Sequence, residues 1–219
     1  MNNNFNEFGY KKVLPDDHFQ FDCSCCGDCC RNVKGSVMLE SLDLYRISRF
    51  LKMEMSEVAL KYADTAFIAH GFPVLVLETK QHLDACVFLK SSRCSVHQAS
   101  PRACRTYPIG IVPDNDNPGE WLSFMVSKNQ HHFTGQQHRV KDWIDETFTT
   151  EDREFITADY TYAVELAKLI NNIDKQHDTE ILHLTLLFKY FAYDITKDFL
   201  PQYMNNMEQL KTSLKQLGG

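Results

Sequence analysis

The 219-residue chain lacks the marks of several large protein classes. It has no run of about 18 apolar residues, the length a membrane-crossing helix needs, so no bilayer span is expected. It has no dense run of Lys or Arg. Its 23 basic side chains stand against 29 acidic ones, for a net charge of −6. Neutralising nucleic-acid phosphates takes clustered cations, so no nucleic-acid partner is expected. The opening MNNNFNEFGYKKV has no basic stretch followed by an apolar one. No secretory leader is therefore expected, and the expected compartment is the cytoplasm. There is no internal repeat and no low-complexity segment, and no cysteine follows residue 104.

The cysteines that are present are concentrated instead. Of eight, five fall in FDCSCCGDCC (residues 21–30): Cys23, Cys25, Cys26, Cys29 and Cys30. A chain of this length, 43% hydrophobic, can bury a core without disulfide staples. In a reduced compartment such thiols are metal ligands or redox groups more readily than disulfides. The spacing Cys23-x2-Cys26-x2-Cys29-Cys30 lets several sulfurs converge on one ion, at about 2.3 Å each if it is zinc. Backbone N–H groups in such a turn also point at the sulfurs and stabilise their charge. Cys86, Cys94 and Cys104 add three thiols, more in total than one tetrahedral site takes. Two ions, or one cluster with bridging sulfur, would account for them. Cys86 alone would read as a small buried hydrophobe. Adjacent pairs such as Cys25-Cys26 and Cys29-Cys30 point in different directions and cannot all be core. Cys25 is the odd member, and its role stays open.

Around the cysteines the pattern predicts an α+β chain, mostly helical, with short β-hairpins about the metal site and helices at its C-terminal end. Ser41 and Ser56 stand as N-caps of two helices. Residues 71–78 and 82–89 read as two strands joined by 79–81, and 121–126 as another. Helical periodicity resumes over 139–148. It continues in a helix capped by Thr150 that runs toward Asn171, in a long apolar helix opened by Asp178, and in a last helix over 199–217. This predicts a cysteine-cluster metal-binding domain over 1–148 and a helical extension over 149–219.

The motifs resemble a known family. Cys23-x2-Cys26-Gly27-x-Cys29-Cys30 is followed by Cys86-Val87-Phe88-Leu89, by Cys94-Ser95-Val96-His97, and by Pro101-Arg102-Ala103-Cys104-Arg105-Thr106-Tyr107-Pro108. In that order they resemble the CxxCxxCC cysteine-cluster family, the YkgJ-like zinc- or iron-chelating domain, over roughly 20–140. The resemblance implies metal ligation by Cys23, Cys26, Cys29, Cys30, Cys86, Cys94 and Cys104. A related cluster in bacterial flagellin lysine N-methylases implies an alternative, a metal- or iron–sulfur-dependent enzyme. This chain departs from the family at His97, where Tyr is usual, and at Ser100, where Arg is usual. Many members also carry a later cysteine where this chain has His131-His132-Phe133. Imidazole replaces thiolate on zinc and also ligates iron, so His131 is the candidate eighth ligand, with His132 close behind. The competing reading is a solvated loop pair.

Other residues have simpler readings. Arg102 and Arg105 flank Cys104 and would offset thiolate charge or bind an anion. Tyr107 reads as packing and Asp28 as a solvated turn residue. The stripe Leu182, Leu184, Leu186, Leu187, Phe188, Phe191 is core, or a protein-partner surface. No Gly-rich nucleotide-cradling turn and no acid–base pair at telling spacing is present. A metal-binding module, structural or serving storage or delivery, therefore leads over an enzyme. Zinc leads as the cofactor, with iron or an iron–sulfur cluster as the alternative.

Overall fold

The computed structural model describes residues 10–67, 73–80, 83–114, 117, 120–126 and 130–218. The architecture is α+β, with seven α-helices and ten short strands among these residues.

Four small antiparallel sheets surround the cysteine segment. β1 (Tyr10–Val13) pairs with β9 (Trp121–Val126), which pairs with β8 (Ile109–Pro113). β2 (His18–Gln20) pairs with β10 (Gln137–Arg139), with Phe19 opposite His138. β3 (Met38–Leu39) and β4 (Ala63–Phe67) flank the central β5 (Pro73–Leu77). β6 (Leu89–Lys90) and β7 (Arg93–Cys94) form a minimal hairpin.

The helices follow from apolar spacing and local caps. In α1 (Ser41–Leu51), Leu42, Leu44 and Ile47 are buried, and Glu40 with Asp43 closes a capping box. α2 (Met55–Tyr62) has the same device from Glu54 and Glu57. After the four-residue α3 (Arg102–Arg105) and α4 (Val140–Thr147), α5 (Thr150–Ile170) is boxed by Thr149 and Asp152. α6 (Asp178–Leu186) runs into a π-helical turn, Leu187–Phe191. α7 (Phe199–Leu217) buries Phe199, Tyr203, Met207, Leu210 and Leu214, spaced three and four residues apart along one face. These join Leu39, Ile47, Phe88, Val96, Phe148 and Phe155 in one hydrophobic cluster, so apolar packing runs across residues 148 and 149.

Three expectations are corrected. The cap positions fall to Glu40, Glu54 and Thr149 rather than to Ser41, Ser56 and Thr150, because a carboxylate or hydroxyl one or two residues earlier reaches the N3 amide. The helix opened by Asp178 ends at the π turn, where Ala192 N–H bonds back to the Leu187 carbonyl. The two strands predicted over 71–89 do not form a hairpin: β5 takes β3 and β4 as neighbours instead. The second segment keeps one isolated bridge, Thr79 to Cys86. Its backbone serves the cysteine loop: the Asp84 carbonyl accepts from Val33 N–H at 2.9 Å, and Cys86 N–H donates to the Cys30 carbonyl at 2.8 Å. Residues 71, 72, 81 and 82 of that expectation lie outside the described residues. In the apolar stripe, Leu184, Leu186, Phe188 and Phe191 pack on the core, while Leu187 is exposed.

Candidate metal centre

The cysteine segment is irregular backbone held by its neighbours. Gly27, at φ +77°, turns the chain into a single 3-10 turn, Asp28–Cys30. A Cβ there would come within 2.8 Å of the Ser92 carbonyl oxygen, so only glycine fits. The turn carries Cys29 and Cys30 side by side, with Sγ atoms 3.9 Å apart. Two sulfurs bound to one tetrahedral zinc lie about 3.8 Å apart.

The histidines arrive from the far end of the β2–β10 pair. Phe21 N–H donates to the Gln136 carbonyl at 3.0 Å, and Asp22 N–H donates to the His132 carbonyl at 3.4 Å. Gly135, at φ +82°, lets Asp22 Oδ2 approach and accept from Gln136 N–H at 3.3 Å. This stitching brings His132 Nε2 to 3.1 Å from Cys26 Sγ and His131 Nε2 to 3.6 Å. Asp28 Oδ2 lies 3.1 Å from His131 Nε2. One ligand atom from each of Cys26, Asp28, His131 and His132 lies within 4.8 Å of the others. The closest of these separations approach the edges of a tetrahedron with 2.0–2.3 Å bonds, roughly 3.3–3.8 Å. The donor set of one sulfur, two imidazoles and a carboxylate suits zinc or Fe(II).

His132 is buried, 5% exposed, and its other ring nitrogen, Nδ1, sits 3.0 Å from the Tyr107 hydroxyl. A partner at Nδ1 leaves Nε2 directed at the sulfur, the orientation that metal-binding histidines take from their outer neighbours. Tyr107 also packs edge-on against Phe21, with ring centroids 5.7 Å apart. It does more than the packing expected of it. Asp28 likewise is more than a solvated turn residue, since it pairs with His131 and with Arg31.

The remaining thiols line the same cavity, of about 590 Å³. Cys30 reaches it from the 3-10 turn, Cys94 on β7 and Cys104 on α3, and the buried Cys86 lines it too. Cys23 and Cys25 stand at its exposed edge, Cys25 in the left-handed region at φ +54°. Among the described residues, no three of these thiols converge as tightly as the Cys26 group does. Phe21, Phe88, Tyr107 and Trp143 add aromatic surface to the cavity lining. The Trp143 indole N–H donates to the Thr106 carbonyl at 2.9 Å.

Electrostatics separate the thiols. A backbone hydrogen bond from Asp28 N–H, helped by His132, holds Cys26 below the ordinary thiol range. Hydrogen bonding from Cys30 lowers Cys29 to about 7. The same contact, with burial, pushes Cys30 far up. Burial raises Cys23, Cys86, Cys94 and Cys104. Cys104 lines the cavity with part of its surface accessible, and the neighbouring Cys86 and Asp43 add to its shift.

The two arginines of α3 part ways. Arg105 lines the cavity. Arg102 turns away, where Glu40 grips it with two oxygens at 2.7 and 2.9 Å and the Ile111 carbonyl accepts at 3.0 Å. A planar guanidinium matches a carboxylate in this two-pronged way. His177 pairs with Glu180, and neither it nor His183 lines the cavity. From the sequence His131 stands ahead of His132, Asp28 reads as a turn residue and Tyr107 as packing, whereas the geometry brings the first three to Cys26 and Tyr107 to His132. The signal for Asp28 was its place inside the cysteine run; nothing local in the sequence ordered the two histidines.

Residues 22–133 match the profile of one family, CxxCxxCC, described as "Putative zinc- or iron-chelating domain". The match covers 112 of the 219 residues. No solved structure matches the chain.

Proposed function

The chain belongs to the CxxCxxCC family of zinc- or iron-chelating domains, and from that membership we propose that it binds metal at two neighbouring centres. The first is mixed, with Cys26, Asp28, His131 and His132 as ligands. The second is built from thiolates, drawn from Cys23, Cys29, Cys30, Cys86, Cys94 and Cys104. The observation that carries the reading is the approach of four ligand atoms, from segments over 100 residues apart in sequence, to within 4.8 Å. Zinc is the proposed metal because it accepts sulfur, nitrogen and oxygen together and has no redox chemistry to protect. The role is structural, or one of storage or delivery. The segments that carry the ligands are short strands and turns, and ligand binding free energy there becomes folding free energy.

A second reading is a metal-dependent enzyme, with iron or an iron–sulfur cluster as its cofactor. The observation that favours it is the cavity, which extends past the sulfurs to Trp143, Glu146 and Thr147 and exceeds what two ions fill. Elemental analysis of anaerobically purified protein, with a visible spectrum, separates the two. A colourless protein with close to two zinc per chain is the expected result. A brown, iron-containing protein with a broad band in the blue favours the second reading. Protein that holds neither metal after reconstitution overturns both.

A further inference from the structure

Asp152 lies outside the region matched to the family, yet it is among the most enclosed charges of the molecule, with its side chain 2% exposed. It is the N3 residue of α5 and accepts from Thr149 N–H at 3.0 Å and from the Thr149 hydroxyl at 2.7 Å. Both of its oxygens also accept from Arg105 Nη2, each at 2.8 Å, and Oδ1 accepts from Arg46 Nη1 at 2.6 Å. Arg46 continues to Glu151 at 2.5 Å. Arg105 in turn donates from Nη1 to the Ser100 carbonyl at 2.8 Å. The guanidinium next to Cys104 is thus held at both ends, by the start of its own turn and by α5. Burial works against the Asp152 charge, but the Thr149 hydrogen bonds and the Arg46 and Arg105 charges outweigh it and hold the carboxyl below its ordinary range. At neutral pH it is a fixed anion.

We infer that Asp152 is a positioning residue for the thiolate centre: acting through Arg105, it fixes the turn that presents Cys104 and so couples metal binding to the docking of α5. The inference rests on the proposed metal function. A site whose ligand depends on this contact must, by linkage, return the effect, so metal bound at Cys104 stabilises the start of α5. Outer contacts of this kind are typically worth 10- to 100-fold in metal affinity.

The test uses the full-length protein and titrates Co(II) and Zn(II) in competition with a chelator. Asp152→Asn keeps the shape and removes the charge. Arg105→Lys keeps the cation but loses the planar group that holds Asp152 through Nη2 and the Ser100 carbonyl through Nη1, while Asp152 retains Arg46 and Thr149. Each is expected to weaken metal binding at least tenfold and to lower the thiolate-to-cobalt absorption. The double variant should lose no more than the worse single one. Leu166→Ala, in the same helix and 1% exposed, is expected to lower thermal stability and leave the affinity and the cobalt spectrum alone. A second readout is amide exchange over 150–160, which metal should slow in the wild type and not in Asp152→Asn. Unchanged affinity in Asp152→Asn and in Arg105→Lys, or an equal loss in Leu166→Ala, overturns the positioning role while leaving the metal reading intact. A wild type that binds neither cobalt nor zinc removes the metal reading itself.

Discussion

The helices after residue 149 and the segments that carry the cysteines are built on opposite plans. Along α7 and the facing surface of α5, rings and aliphatic chains interlock: Phe155 meets Phe199 at 5.4 Å and Tyr203 at 5.0 Å, edge to face in both pairs. Even the buried Lys189 is answered there, by Asp159 at 2.7 Å. Around the cysteines there are two-residue strands, one-turn helices and residues in the left-handed region, among them Cys25, Asn32, Asp84, Ser91 and Ser92. That backbone is held by scattered hydrogen bonds and by the close approach of Gly27 to the Ser92 carbonyl. One region is stabilised by apolar burial and should stand without metal. The other sends Phe21, Phe88 and Val96 into the same core but holds its irregular backbone through a few polar contacts, and there the proposed ions add most.

The largest expected effect tests the first half of that contrast. Phe155→Ala removes a fully enclosed ring and should cost about 3–5 kcal/mol. The loss in thermal or denaturant unfolding should be the same with and without chelator. A loss that vanishes on metal removal would mean the two regions do not differ as described. Next comes Cys26→Ser. It should remove close to one equivalent of metal and speed amide exchange over 21–34 and 84–106, while exchange along α7 stays slow. Fast exchange along α7 as well would make the whole fold metal-dependent.

How far the sequence revealed these regions follows the same divide. The late helices were legible because burial of Phe199, Tyr203, Met207, Leu210 and Leu214 demands a spacing that can be read directly. The cysteine motif was legible as chemistry, because thiols at such spacing have few other uses. The short strands were not. β2 and β10 are three residues each and pair across more than a hundred residues, and no local pattern announces that. The order of His131 and His132 was illegible for the same reason, since it depends on which ring the pairing turns inward toward Tyr107. No sequence feature marks Asp152, whose arginine partners Arg46 and Arg105 lie far along the chain. The π turn that ends the helix from Asp178 leaves no mark in the apolar periodicity.

A smaller effect sharpens the picture of the mixed centre. Tyr107→Phe keeps the ring against Phe21 and removes the hydroxyl at His132 Nδ1. Zinc affinity should fall about tenfold, with little change in stability of the metal-free protein. No change in affinity would mean that the hydroxyl does not orient the imidazole. Smallest of all is a difference in thiol reactivity in metal-free protein. Cys29, lowered to about 7, titrates below the ordinary thiol value of 9.0, so its thiolate forms on raising pH through that lower point. Its alkylation by iodoacetamide should climb between about pH 6 and 8 and then level off. Cys104, held up by burial, should still be gaining reactivity well above that range. Peptide mass mapping across pH reads both, and equal profiles would contradict the separation of the thiols.

The central claim is that nitrogen ligands from His131 and His132 join Cys26 on one ion. X-ray absorption at the metal edge tests it most directly, on the wild type and on the paired variant His131→Ala, His132→Ala. The wild type should show a light-atom shell at about 2.0 Å beside sulfur at about 2.3 Å. The paired variant should lose that shell together with close to one equivalent of metal. A sulfur-only shell in the wild type would contradict the claim and leave cysteine as the sole ligand, and an unchanged spectrum and metal content in the variant would contradict it by assigning the light atoms to residues other than the two histidines.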